Sequence, residues 1–331
     1  MQDKKLNRAA RRAAAKAERK ARKMKKAIYA SFGIKYKAGK IFSPINGGMW
    51  ITPPLVNGND KIGKGAWHFS TLPGNVSWHI NIALTTKTKI CEKMIVDPVT
   101  GEKRKSKNYG KPVKYTAVDD VNPVFVDIDG TCACTCRNEK GDIACYAFTG
   151  NYNYDTTKAY LAIRTILARD YPEFLKNAIM AQIEAEKIEL CRIHAAGDFF
   201  SKEYADMWRE IAITCQDTIF WTYTKVKQFE TLFDGIENAN IVKSVIPGFG
   251  FNFGHCDYIM RLYKYLKGKG HKVHICFCGI EKFAGIEPKH CTNCKSCSEC
   301  DYVLFIEHST EYKAEKDPLF PELVKLILAQ E

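Results

Sequence analysis

The chain has 331 residues, 46% of them hydrophobic and 26% charged, which is enough apolar material for a sizeable core. It contains no run of about 18 apolar residues, so no membrane-spanning helix is expected. The first residues, MQDKKLNRAARRAAAKAERKARKMKK, lack the apolar stretch of a secretory signal, and a cytoplasmic address is predicted. The formal net charge of +13 is concentrated at one end. Residues 1–26 hold twelve Lys/Arg against Asp3 and Glu18, a local +10 that leaves about +3 for the remainder.

Residues 1–26 form a basic tail rich in Ala, Lys and Arg, all good helix formers. It has almost no apolar stripe, so the pattern predicts a solvated, partly frayed helix that does not dock on the core. Its charge also suits a tether to nucleic acid or another polyanion. Residues 27–120 read as an irregular region of short strands and loops, with a hairpin around Pro98–Gly101.

From residue 121 to 331, short β-rich runs alternate with helical periods. The strand candidates are Pro123–Ile128, Leu190–His194, Thr218–Tyr223, Ile241–Ile246, Lys272–Phe277 and Tyr302–Glu307. The helix candidates are Thr156–Arg169, Pro172–Lys187, a segment capped by Ser201, Val226–Phe233, Asp257–Lys267 and Leu319–Ala329. Six strands alternating with helices predict an α/β fold: a parallel sheet or an open (β/α) barrel, with its site at the C-terminal strand ends.

Fourteen cysteines in a chain without a secretory signal point to metal rather than disulfides. Cys91, Cys191, Cys215 and Cys256 are scattered and read as small buried hydrophobes. Cys132, Cys134, Cys136 and Cys145 follow the first predicted strand. Cys132, Cys136 and Cys145 can give three thiolate ligands, with Cys134 spare; an iron–sulfur cluster suits a loop at the catalytic end. In the second group, CTNCKSCSEC places Cys291, Cys294, Cys297 and Cys300 three apart, and Cys276 and Cys278 end the fifth strand. This spacing fits a cluster loop or zinc, and six thiols exceed what one centre needs.

The segment CRIHAAGDFFS ends the second strand. Gly197 permits close backbone approach, and Asp198 can either bind an ammonium group or cap the following helix. His194 reads as a packing residue.

The stretches TCACTC…CYA, Tyr160–Arg164 with LARDYPEF, RIHAAGDFFSKEYADMWREIA, TIFWTYTK and KHCTNCKSC…FIEH resemble the phage gene-product-eighty-eight family over roughly residues 121–310. That family is similar to radical S-adenosylmethionine (SAM) enzymes. The resemblance implies a partial (β/α)6 barrel with a cysteine-rich insertion behind an irregular N-terminal region. It implies a [4Fe-4S] cluster after the first strand, with Gly197–Asp198 holding the SAM amino group. It also makes the C-terminal cysteines an auxiliary iron–sulfur or zinc site and, in a phage protein, places the chain in host cytoplasm.

The expected function is therefore a radical SAM-like enzyme that forms a 5′-deoxyadenosyl radical and draws electrons from flavodoxin or ferredoxin. The alternative is a non-catalytic, metal-stapled nucleic-acid-binding protein. Its tail would grip the polyanion, and Trp221, Tyr223, Phe251 and Phe253 would serve as stacking surfaces.

Overall fold

The computed structural model describes residues 2–58, 65–96, 102–133, 145–243, 253–276, 294, 296–306 and 313–330. Helix α1 (Gln2–Ser31) leads into an antiparallel meander of β1 (Tyr36–Lys37), β2 (Lys40–Ser43) and β3 (Met49–Ile51). The strands β4 (Val56–Asn57) and β5 (Ala66–His68) follow, then β6 (Ser77–Asn81), β7 (Leu84–Ile90), β8 (Met94–Val96), β9 (Lys103–Lys105), β10 (Pro112–Val118) and β11 (Phe125–Asp129). β8 and β9 pair antiparallel on either side of residues 97–101, where the sequence placed a hairpin; those residues lie outside the described ones.

The second half carries α2 (Asp155–Asp170), α3 (Pro172–Glu186), β12 (Leu190–Arg192), α4 (Lys202–Thr214), β13 (Ile219–Thr224) and β14 (Ala239–Lys243). It ends with β15 (Phe253–Gly254), α5 (Cys256–Gly268), β16 (Val273–Cys276), β17 (Tyr302–Ile306) and α6 (Phe320–Leu328). The local chemistry of the helix ends matches the sequence signals. Pro172 opens α3, and Lys187 closes it in the left-handed region. The Ser201 side chain accepts from Tyr204 N–H at 3.2 Å, capping α4. Tyr204, Met207, Trp208, Ile211 and Ala212 form the buried face of α4.

The principal sheet has the order β14-β13-β12-β5-β4, parallel except for β4. A second parallel sheet, β15-β17-β16, has its own apolar core with α5 and α6. The expected (β/α)6 barrel is therefore wrong: the strands fall into separate sheets and the principal one does not close. Two local causes are visible. β11, expected as the first barrel strand, pairs antiparallel with β6 instead. It buries only Ile128 and leaves Phe125 exposed, unlike a parallel strand covered on both faces. Its expected place beside β12 is taken by β5. In addition, the link from β13 to β14 carries a 3-10 turn at Lys227–Phe229 in place of the helix expected over Val226–Phe233.

The base of α1 docks where the tail was expected to be solvated throughout. Tyr29 is buried and stacks on Tyr36 with ring centroids 4.5 Å apart, and Lys25 pairs with Glu186 of α3. Residues 13–24 remain exposed.

Candidate functional site

The strands of the principal sheet present two faces by alternation. Cys191 and Phe220 point into the main apolar core with α2, α3 and α4. Leu190, Trp221 and Ala66 point to the opposite face, joined there by Tyr223 and Cys297. His68, Arg192 and Trp221 are register partners on β5, β12 and β13 and share this second face.

At the C-terminal edge the backbone turns tightly around Gly197. Its φ is +87°, and a Cβ there would stand 1.9 Å from Thr71 Oγ1 and 2.6 Å from Thr131 Oγ1. The two threonine hydroxyls lie 2.8 Å apart, and Asp198 N–H donates to Thr131 Oγ1 at 3.1 Å. Thr131 thus ties the start of the first cysteine loop, Cys132, to the Gly197–Asp198 turn.

Asp198 is 2% exposed. Its Oδ1 accepts from Phe199 N–H and Thr224 O–H, both at 2.8 Å, and its Oδ2 accepts from Lys225 N–H at 2.9 Å. Burial nevertheless outweighs these bonds and pushes the carboxyl up to about 6. Asp198 does not cap α4, a role that Ser201 fills. His194 is buried, with positive φ, and its Nε2 lies 2.8 Å from Tyr204 Oη. Burial, aided by Arg192, lowers it to about 3, so it is neutral at physiological pH.

Three basic groups gather nearby. Arg164, on α2, is 8% exposed, and burial lowers it only to about 10, so it stays charged. Its guanidinium carbon lies 6.0 Å from the centre of the Tyr160 ring. Arg192 stands over the Tyr223 ring at 5.0 Å. His68 feels both guanidiniums, and burial with their charge lowers it to about 4.

Of the first cysteine group, Cys132 and Cys145 are described and half-buried, whereas Cys136 and the spare Cys134 lie outside the described residues. Of the second, Cys278 and Cys291 lie outside them. Cys276, Cys294, Cys297 and Cys300 are half-buried free thiols around the end of β16 and the turn at Ser296–Ser298. Cys297 Sγ lies 2.8 Å from Tyr223 Oη, and Cys294 Sγ lies 3.9 Å from His274 Nε2. Asn240 Nδ2 donates to the carbonyls of Cys297 and Cys300 at 2.8 and 3.0 Å, holding this turn on β14. Burial first, then Glu299, Asp301 and Cys294, raises the Cys300 thiol. Such a nest favours thiolates only when a cation joins it, and soft sulfur donors suit zinc or iron–sulfur centres. Among the described residues no three His, Cys, Asp or Glu side chains form a metal-binding group.

Sequence reasoning missed His68, Arg164, Arg192 and His274. A signal for Arg164 was present: a lone charge inside the apolar run Leu161–Ala162–Ile163 and Thr165–Leu167, at a position the helix buries. Trp221 and Tyr223, weighed as stacking surfaces, lie buried or half-buried on the second face, while Phe251 falls outside the described residues.

The family model for gene product 88 matches residues 87–247. That span runs from β7 through β14 and includes the first cysteine group and Gly197–Asp198, but it stops before the second cysteine group. No curated protein and no solved structure matches the chain. The similarity to radical SAM enzymes finds no support in these comparisons, nor in the open sheet. No helix among the described residues is long and apolar enough to cross a membrane.

Proposed function

We propose that this protein is an iron–sulfur enzyme acting at the C-terminal edge of its principal sheet, with SAM as co-substrate. The observation that supports the reading is the tie between Cys132 and the Gly197–Asp198 turn through Thr131. Cys132, Cys136 and Cys145 would hold a four-iron cluster there, and the second thiol group an auxiliary iron–sulfur or zinc centre. The cluster, reduced by an outside donor such as flavodoxin or ferredoxin, supplies one-electron chemistry. The chain's own part is to orient and to desolvate. Asp198 Oδ2 accepts one hydrogen bond from the protein, which leaves it capacity for an ammonium donor. The buried carboxylate would gain a countercharge, and the ammonium a fixed anionic partner.

The test is anaerobic purification with iron, sulfide and zinc analysis, followed by SAM binding and 5′-deoxyadenosine release on reduction. Changing Cys132, Cys136 and Cys145 together to Ala should remove one centre and leave the other. Asp198→Asn should keep the metal and weaken SAM binding at least tenfold, about 1.4 kcal/mol. Colourless protein containing zinc alone would overturn the iron–sulfur reading. A cluster-loaded protein that neither binds nor cleaves SAM would overturn the enzyme reading.

The exposed basic stretch of α1 favours a second role, a tether to nucleic acid in the host cytoplasm. Removing residues 1–26 should lower nucleic-acid affinity and flatten its salt dependence. Unchanged binding by the truncated chain would refute this role.

A further inference from the structure

We propose that Arg164, Arg192 and His68 form a binding site for a phosphate dianion, the recognition point for a phosphorylated small molecule. Arg164 carries the argument. It projects from the middle of α2, is 8% exposed, and makes no hydrogen bond or ion pair with any described residue. The groups that act on its charge are the Tyr160 and Tyr152 rings, with no carboxylate among them. A buried guanidinium is costly unless an anion faces it, and its planar donors match a phosphate's oxygens in pairs.

The second strand of the argument is independent of α2. His68 and Arg192 are register partners on adjacent parallel strands, so their side chains leave the same face about 4.8 Å apart. Both guanidiniums act on the His68 ring, and no acidic group opposes them there. Such a like-charged grouping is unfavourable across a bare sheet face. It becomes favourable when a ligand of charge −2 bridges the two arginines. Neutral His68, whose Nδ1 lies 3.5 Å from Ser70 Oγ, can donate or accept beside it. A carboxylate would neutralise one guanidinium; a phosphate monoester neutralises both. None of these groups is a thiol, so the inference stands whether or not the metal reading does.

The test uses the full chain as purified, with inorganic phosphate as the probe and acetate as the comparison. Phosphate should bind, perturb the His68 imidazole resonances, and raise the melting temperature. Acetate should bind at least tenfold more weakly. Arg164→Gln should lower phosphate affinity at least tenfold. Arg164→Lys, which keeps the charge but loses the paired donors, should fall between. The basic tail is unchanged in both variants, so the difference reports this site alone. Should Arg164→Gln fail to fold, the Lys variant and the His68 resonances of the unaltered chain still decide. Phosphate affinity indifferent to Arg164, acetate binding as tight as phosphate, or no response of His68 to phosphate would each overturn the proposal.

Discussion

The two faces of the principal sheet come from the same few strands, yet they differ sharply in chemistry. One carries Cys191 and Phe220 into an apolar core beneath α2, α3 and α4. The other carries His68, Arg192, Trp221 and Tyr223, and a cysteine-bearing turn rests on it. Parallel strands are usually apolar on both sides because helices cover both. A parallel strand that alternates apolar with charged and aromatic residues has therefore given one face to stability and the other to ligands.

The largest effect should come from the apolar face. Phe220→Ala opens a cavity in a fully buried position and should cost about 3–5 kcal/mol of stability, measured by denaturant unfolding. Metal bound per folded chain should not change. If it falls in proportion to stability, the two faces are not separable.

Acid tests both faces together. His194 and His68 have pKa values of about 3 and about 4 in the folded chain, below the usual 6.5. The unfolded chain therefore binds their protons first, and stability falls as pH drops below 6.5. Asp198 works in the opposite sense: its raised value of about 6 makes the folded chain bind its proton first, which adds stability as pH drops below 6. Between pH 6.5 and 5 the two histidines together outweigh the aspartate by about 2 kcal/mol, counting about 1.36 kcal/mol per pKa unit. Denaturant unfolding across that range should show the loss, and His68→Gln should remove about half of the histidine contribution. A flat profile would mean that His68 is not buried against the two arginines.

The smallest stability effect belongs to the second face. Tyr223→Phe removes the hydroxyl beside Cys297 and should change stability by about 1 kcal/mol or less. It should instead alter the metal retained by the C-terminal thiols, read as zinc or iron lost to a chelator. A large stability loss with metal retention unchanged would reverse the division between the faces.

Much of the second half was legible because its signals are local. Ser201 followed by a 3.6-residue apolar period fixes α4, and Pro172 fixes the start of α3. Strand pairing was not legible. A run such as Phe125–Asp129 has the same alternation whether its partner is parallel or antiparallel, and β5 is three residues long with no turn signal of its own. The Gly197–Asp198 turn was visible as a motif, but its anchors, Thr71 and Thr131, are distant in sequence. Arg192 and His68 became neighbours only once β12 and β5 were paired.

The docked base of α1 has a mechanical consequence. With Tyr29 clamped against Tyr36 and Lys25 fastened to α3, the preceding residues form a cantilever. Residues 2–26 at 1.5 Å each give an arm about 37 Å long, roughly one turn of duplex DNA. The Debye length at physiological salt is about 8 Å, so charges near the tip act well beyond the screening distance of the core surface. A polyanion caught there would be held at a set standoff from the sheet, because the joint at the base is packed rather than hinged.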